Sequence, residues 1–132
     1  MEGISFLAVI VAAIVSFVVG MLWYSPVLFG KIWMKHMKIT EEDMQKSKEE
    51  GMTKQILLGF ITSLVAAYSF GLLDAMSTAG VFYIAFVVWL GFQVTIFFEN
   101  VLWEKKPFPL FVISAGYKLA TVMATALVFF YL

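Results

Sequence analysis

"PLFVISAGYKLATVMATALVFFYL", residues 109–132, carries a single charged side chain, Lys118, in a run of apolar and small residues. A helix needs ~20 such residues to cross a ~30 Å hydrocarbon core at ~1.5 Å per residue. Residues 4–24, 56–73 and 81–98 form three further runs that approach or meet this length. The composition agrees, with 62% hydrophobic and only 14% charged residues in a chain of 132. A soluble fold of this size would have to expose large apolar patches. The expected fold is therefore an all-α membrane protein, one domain over residues 1–132 with four transmembrane helices. Residues 25–54 lie outside the bilayer between the first two.

Formal net charge is zero, so there is no electrostatic footprint for nucleic acid. The absence of cysteine excludes disulfides, thiolate metal sites and cysteine nucleophiles. Every basic residue is lysine, which argues against sites built on a bidentate guanidinium clamp. The first apolar run is read as a span rather than a cleaved signal peptide. No basic residue precedes it, and "VVGMLWYSP" offers no small-x-small cleavage pattern.

The lysines orient the chain. Lys31, Lys35, Lys38, Lys46, Lys48 and Lys54 follow the first span, and Lys105 and Lys106 follow the third. The N-terminal residues, the 74–80 turn and the C-terminus hold none. The positive-inside rule places residues 25–54 and the 104–108 turn in the cytoplasm, with both termini outside the cell membrane. So strong a bias opposes dual-topology insertion, and a homo-oligomer would be parallel.

Trp23 and Tyr24 suit the membrane–water interface, and Pro26 breaks the helix that precedes it. In "VLFGKIWMKHMK" Trp33 and its apolar neighbours lie against headgroups, while Lys31 and Lys35 face water and anionic lipid. Trp103 marks the same interface at the end of the third span. "TEEDMQKSKEEG" reads as a short soluble helix, with Thr40 as N-cap, Asp43 in capping-box spacing, a Glu42–Lys46 pair and Gly51 as a stop. "LWYSPVLF" (22–29) and "LWEKKPFPLF" (102–111) echo one another, as two similar helical hairpins would.

Small residues recur every fourth position along Ala8–Ala12–Ser16–Gly20, Gly59–Ser63–Ala67–Gly71 and Gly116–Ala120–Ala124. Such stripes let backbones approach where lipid gives helices no hydrophobic reason to associate. The third span has no stripe and is aromatic-rich, which places it at the periphery. Polar residues also line up: Gln55, Thr62 and Ser69 on the second helix, and Ser114, Lys118, Thr121 and Thr125 on the fourth. On the third, Gln93, Asn100 and Glu104 share one side, and Thr95 and Glu99 another.

Lys118 lies ~13 Å along the helix from Pro109, close to mid-membrane. A lysine there costs roughly 2.5–3.5 kcal/mol on insertion scales, so it needs a partner or a polar cavity. Glu99 lies on the same side of the membrane in the neighbouring span. Three outcomes compete: a structural Lys118–Glu99 pair with Asn100 or Tyr117, a proton- or ion-responsive pair in a transport path, and an anion or lipid-headgroup site. The candidate intramembrane site is Lys118, Glu99, Gln93, Asn100, Thr121 and Tyr117. His36 reads as a solvated or interfacial histidine rather than a metal ligand, and Asp74 as an exposed helix end. No catalytic motif, cofactor or metal site is expected.

The blocks "GMLWYSPVLFGKIWMK" (20–35) and "FFENVLWEKKPFPLFVISAGYKLATVMATAL" (97–127) resemble the bacterial and archaeal membrane proteins catalogued as domain of unknown function 1761. The resemblance spans nearly the whole chain and implies a small four-helix membrane domain in a prokaryote. It brings no activity, and Lys118 inherits no role from it. Two functions stay open. One is a small homo-oligomeric transporter or channel-like protein with a polar intramembrane site. The other is a non-transporting scaffold that binds membrane lipids or a partner through its basic segment.

Overall fold

The computed structural model describes residues 4–132. Residues 1–3, the lysine-free N-terminal end of the single domain read from the sequence, lie outside the described residues. Helix α1 (Phe6–Trp23) starts where the Ser5 hydroxyl accepts a hydrogen bond from the Ala8 amide at 3.2 Å. It stops at a tight turn over Tyr24–Phe29. There the Ser25 hydroxyl donates to the Leu22 carbonyl at 2.7 Å, while the Phe29 and Gly30 amides reach back to the carbonyls of Trp23 and Ser25 at 3.0 and 2.9 Å. This turn leads into α2 (Gly30–Met37), which ends on Lys38 in the left-handed conformation.

Helix α3 (Glu41–Glu50) is capped as its sequence requires. The Thr40 hydroxyl accepts from the Asp43 amide at 3.1 Å, the Asp43 carboxylate accepts from the Thr40 amide at 3.0 Å, and Gly51 ends the helix at φ 88°. The Glu42–Lys46 pair expected on α3 does not form; the ion pair found among the described residues joins Lys106 to Glu104 at 3.5 Å. None of the α3 residues is buried.

The hydrogen bond from the Thr40 amide, then that from its hydroxyl, holds the Asp43 carboxyl below its ordinary range, with Lys46 adding to the shift. A lowered folded-state value stabilises the helix above the ordinary aspartate pKa, and that support is lost as pH falls through the lowered value. Amide protection in α3, relative to the unfolded chain at the same pH, is therefore expected to fall below about pH 4. Thr40→Ala should produce the same loss of protection at neutral pH. Equal protection of α3 at low and neutral pH would count against the cap.

The four long helices are α1, α4 (Thr53–Met76), the third span Val81–Trp103, and α7 (Phe108–Tyr131). They outrun the apolar stretches 56–73 and 81–98 because their polar ends extend into the interface. The third span is three pieces: α5 (Val81–Val88), a π-helical turn (Trp89–Val94) and α6 (Thr95–Trp103). No strand occurs among the described residues.

Helix α1 sits between α4 and α7, and the third span is attached through α7. Small residues set this order. Ala8, Ala12 and Ala13 of α1 are fully buried, and Ala12 and Ala13 pack with Val9 and with Ala67 of α4. Ala85 of the third span is also fully buried, against Phe70, Val122 and Ala126. Close approach through alanine stands in for the hydrophobic drive that lipid withholds. Gly71 and Gly116 serve the same end: a Cβ on either would lie 2.9 Å from an aromatic carbon, of Phe129 and Trp23 respectively.

Candidate intramembrane site

Two indoles fix how the spans rotate around α7. Trp23 donates to the Ile113 carbonyl at 3.0 Å, and Trp89 donates to the Ala115 carbonyl at 2.7 Å. Trp23 also packs on Phe29 with ring centroids 4.7 Å apart. Tyr24 meets the rings of both Trp33 and Tyr117, at 5.6 and 5.3 Å. Trp23, Tyr24 and Trp33, expected to meet lipid, thus build an aromatic cluster inside the lysine-rich end. Their rings stay partly exposed and also contact one another and α7. Lys31, Lys35 and Trp103 do face outward, Trp103 with 83% of its surface exposed. The echo between the two Leu-Trp blocks therefore stops short of side-chain roles. The indole that matches Trp23 in function is Trp89, in mid-span.

The π-turn carries Trp89 and Gln93. A wide turn of this kind adds a residue to the helical register and recurs at functional sites. With Trp89 tied to α7, the face through Trp89, Gln93 and Asn100 turns inward, while Thr95 and Glu99 turn outward. Glu99 is exposed and makes no ion pair with Lys118. The expected Lys118–Glu99 pair is thereby corrected. Sequence spacing offered two polar stripes on this span, and the helix rotation chose the other.

What Lys118 faces instead is a cavity of about 410 Å³. It opens where α4, which meets the third span chiefly at α5, parts from the π-turn. Lys118, Tyr117, Thr121 and Thr125 of α7 line it, with Ser16 of α1, Gln93 of the π-turn, and Thr62, Ser63 and Ser69 of α4. The half-buried Lys118 ammonium lies 4.9 Å from the centre of the Tyr117 ring, a cation–π distance. Neither Asp nor Glu lines the cavity.

Of the six site residues read from the sequence, Lys118, Gln93, Thr121 and Tyr117 share this cavity. Asn100 lines a separate one of about 190 Å³ at the lysine-rich end, with Trp33, Lys106 and Ser114. Glu99 is in neither.

Four of the cavity's hydroxyls donate to their own helices. Thr121 donates to the Lys118 carbonyl at 3.1 Å, Thr125 to Thr121 at 2.9 Å, Thr62 to Leu58 at 2.9 Å and Ser69 to Val65 at 2.8 Å. Since the Thr125 proton is committed to its own helix, the 3.1 Å contact with Ser16 has Ser16 as donor. The Gln93 side-chain oxygen is buried and has no hydrogen-bond partner. The sequence reading missed Ser16 as a polar partner because its four-residue spacing with Ala8 and Ala12 marks it as a packing residue. The α4 hydroxyls were visible as a stripe, but spacing within one helix does not say what the stripe faces. Among the described residues no group of three acidic or histidine side chains is placed to hold a metal ion.

The sequence matches the family described as a protein of unknown function, DUF1761, over residues 7–130. The chain belongs to that family. No curated protein and no solved structure matches it. The DUF1761 match takes in all four spans but for the end residues Phe6 and Tyr131, the turn after Trp23 and the whole lining of the 410 Å³ cavity. The four apolar helices make this DUF1761 chain a multi-pass membrane protein.

Proposed function

We propose that the protein is a small transporter or channel-like protein, not an enzyme, whose intramembrane cavity admits a solute to Lys118. The observation that carries this reading is a mid-span ammonium facing an open cavity that holds hydroxyls but no carboxylate. A lysine kept only to fix helix packing would be paired and enclosed, because an uncompensated charge in the membrane costs too much otherwise. In proteoliposomes, concentration jumps of small organic anions should evoke charge movement on a solid-supported membrane. Lys118→Met should reduce it at least tenfold, and Lys118→Arg should retain part of it. Wild-type currents no larger than those of protein-free liposomes would sink the transport reading.

The scaffold alternative draws on α2, where Lys31, Lys35 and Ile32 are all exposed, as suits a helix lying on anionic lipid. We place residues 25–54 and 104–108 in the cytoplasm and both termini outside the cell membrane. Any homo-oligomer would be parallel. The chain has no cysteine, so single introduced thiols report cleanly. In intact spheroplasts an impermeant maleimide should label Thr78→Cys and spare Lys48→Cys. The reverse pattern would invert the topology.

A further inference from the structure

We infer that the 410 Å³ cavity is built for a small carboxylate that also carries O–H or N–H donors, a hydroxy or amino carboxylate rather than a simple anion. The inference rests on the solute-admitting reading above and names the class of solute. Volumes of this order suit small molecules. The cavity's one charge is the Lys118 ammonium, which asks for an anionic group and repels a bare cation. Several hydroxyls beside it offer the opposite partner. Thr62, Ser69 and Thr121 spend their protons on main-chain carbonyls and keep lone pairs to offer. Each of these bonds alone is ordinary for a hydroxyl on a helix.

The Gln93 oxygen sharpens the pattern, because it is a buried acceptor with nothing to accept from. It sits on a π-turn that Trp89 pins to α7, which sets the side of the span that Gln93 occupies. Chloride or a plain alkanoate would satisfy Lys118 and leave Gln93 orphaned, at a cost the structure otherwise avoids. A ligand that carries both a carboxylate and a hydroxyl or amino group offers a partner to each. Sites that hydrogen-bond a ligand hydroxyl reject the analogue without it far more strongly than sites that only pack against it.

The test uses three probes of one carbon skeleton: 2-hydroxypropionate, propionate and 1,2-propanediol. They are titrated by calorimetry against the full chain in nanodiscs. Expected is binding of 2-hydroxypropionate at least tenfold tighter than propionate, with the uncharged diol weakest. Gln93→Leu should bring the two carboxylates to within about threefold of each other, and Lys118→Met should abolish binding of both. Propionate binding as tightly as 2-hydroxypropionate would overturn the inference. So would the diol binding best, or no probe binding to protein whose helical circular dichroism and monodispersity show it folded. In that last case Lys118 and Gln93 would be a self-contained polar cluster. The transport reading fails separately: tight, selective binding without charge movement leaves this inference standing and removes the other. Charge movement indifferent to the hydroxyl does the reverse.

Discussion

Gly30→Val should leave little folded protein, and Gly30→Ala should lower stability by about 3 kcal/mol or more. A Cβ on Gly30 would overlap the Tyr24 carbonyl oxygen and lie 2.8 Å from the carbon and oxygen of the Ser25 carbonyl. These are backbone atoms in a turn locked by the Gly30 amide's own bond to Ser25, so no side chain can swing aside. The turn also sets Trp23 and Tyr24 against α7, which carries the damage into the span packing. Gly91→Ala is the control, because nothing lies within 4 Å of a Cβ added there. Thermal unfolding in nanodiscs should separate the two clearly. Equal melting temperatures for Gly30→Ala and wild type would mean the turn is not packed as described.

Trp23→Ala is expected to cost roughly 3–5 kcal/mol, the range for deleting a large packed aromatic side chain. It removes the tilted ring contact with Phe29, the cover over Gly116 and the donor to the Ile113 carbonyl. Trp23→Phe keeps most of the ring contact and should cost nearer ~1 kcal/mol for the lost hydrogen bond. The contact with Gly116 gives a coupling test. Gly116→Ala alone puts a Cβ 2.9 Å from the Trp23 ring and should destabilise the protein by about 1–2 kcal/mol. In a Trp23→Ala background the space is vacant and the same change should be close to neutral. Additive effects of the two changes would place Trp23 away from Gly116.

Much of the candidate site was legible in single helices. Gly116 and Lys118 on one helix announced a packing face and a polar face at adjacent angles. The capping of α3 by Thr40 and Asp43 was legible for the same reason, since every atom involved lies within one turn. Apart from the Glu42–Lys46 pair within α3, the misreadings lay between helices. Glu99 was chosen over Gln93 as the partner of Lys118 by charge and depth, yet rotation about the helix axis decides which residue faces α7. Trp89 sets that rotation by donating to Ala115, and its target lies on another helix. Trp23 looked like a lipid anchor because an interfacial tryptophan reads the same whether its indole meets headgroups or a neighbouring backbone.

Residues 1–132 by themselves determine a chain with four membrane-spanning helices, because bilayer thickness converts directly into a length of uncharged sequence. They also determine the caps and breaks around residues 24–51, because those bonds join near neighbours along the chain. Only the tertiary structure decided that α1 and α7 form the centre, that a π-turn carries Gln93 inward, and that Lys118 opens onto a cavity without a carboxylate. Those outcomes depend on which small faces meet and how each helix turns about its axis. Periodicity within one helix is silent on both.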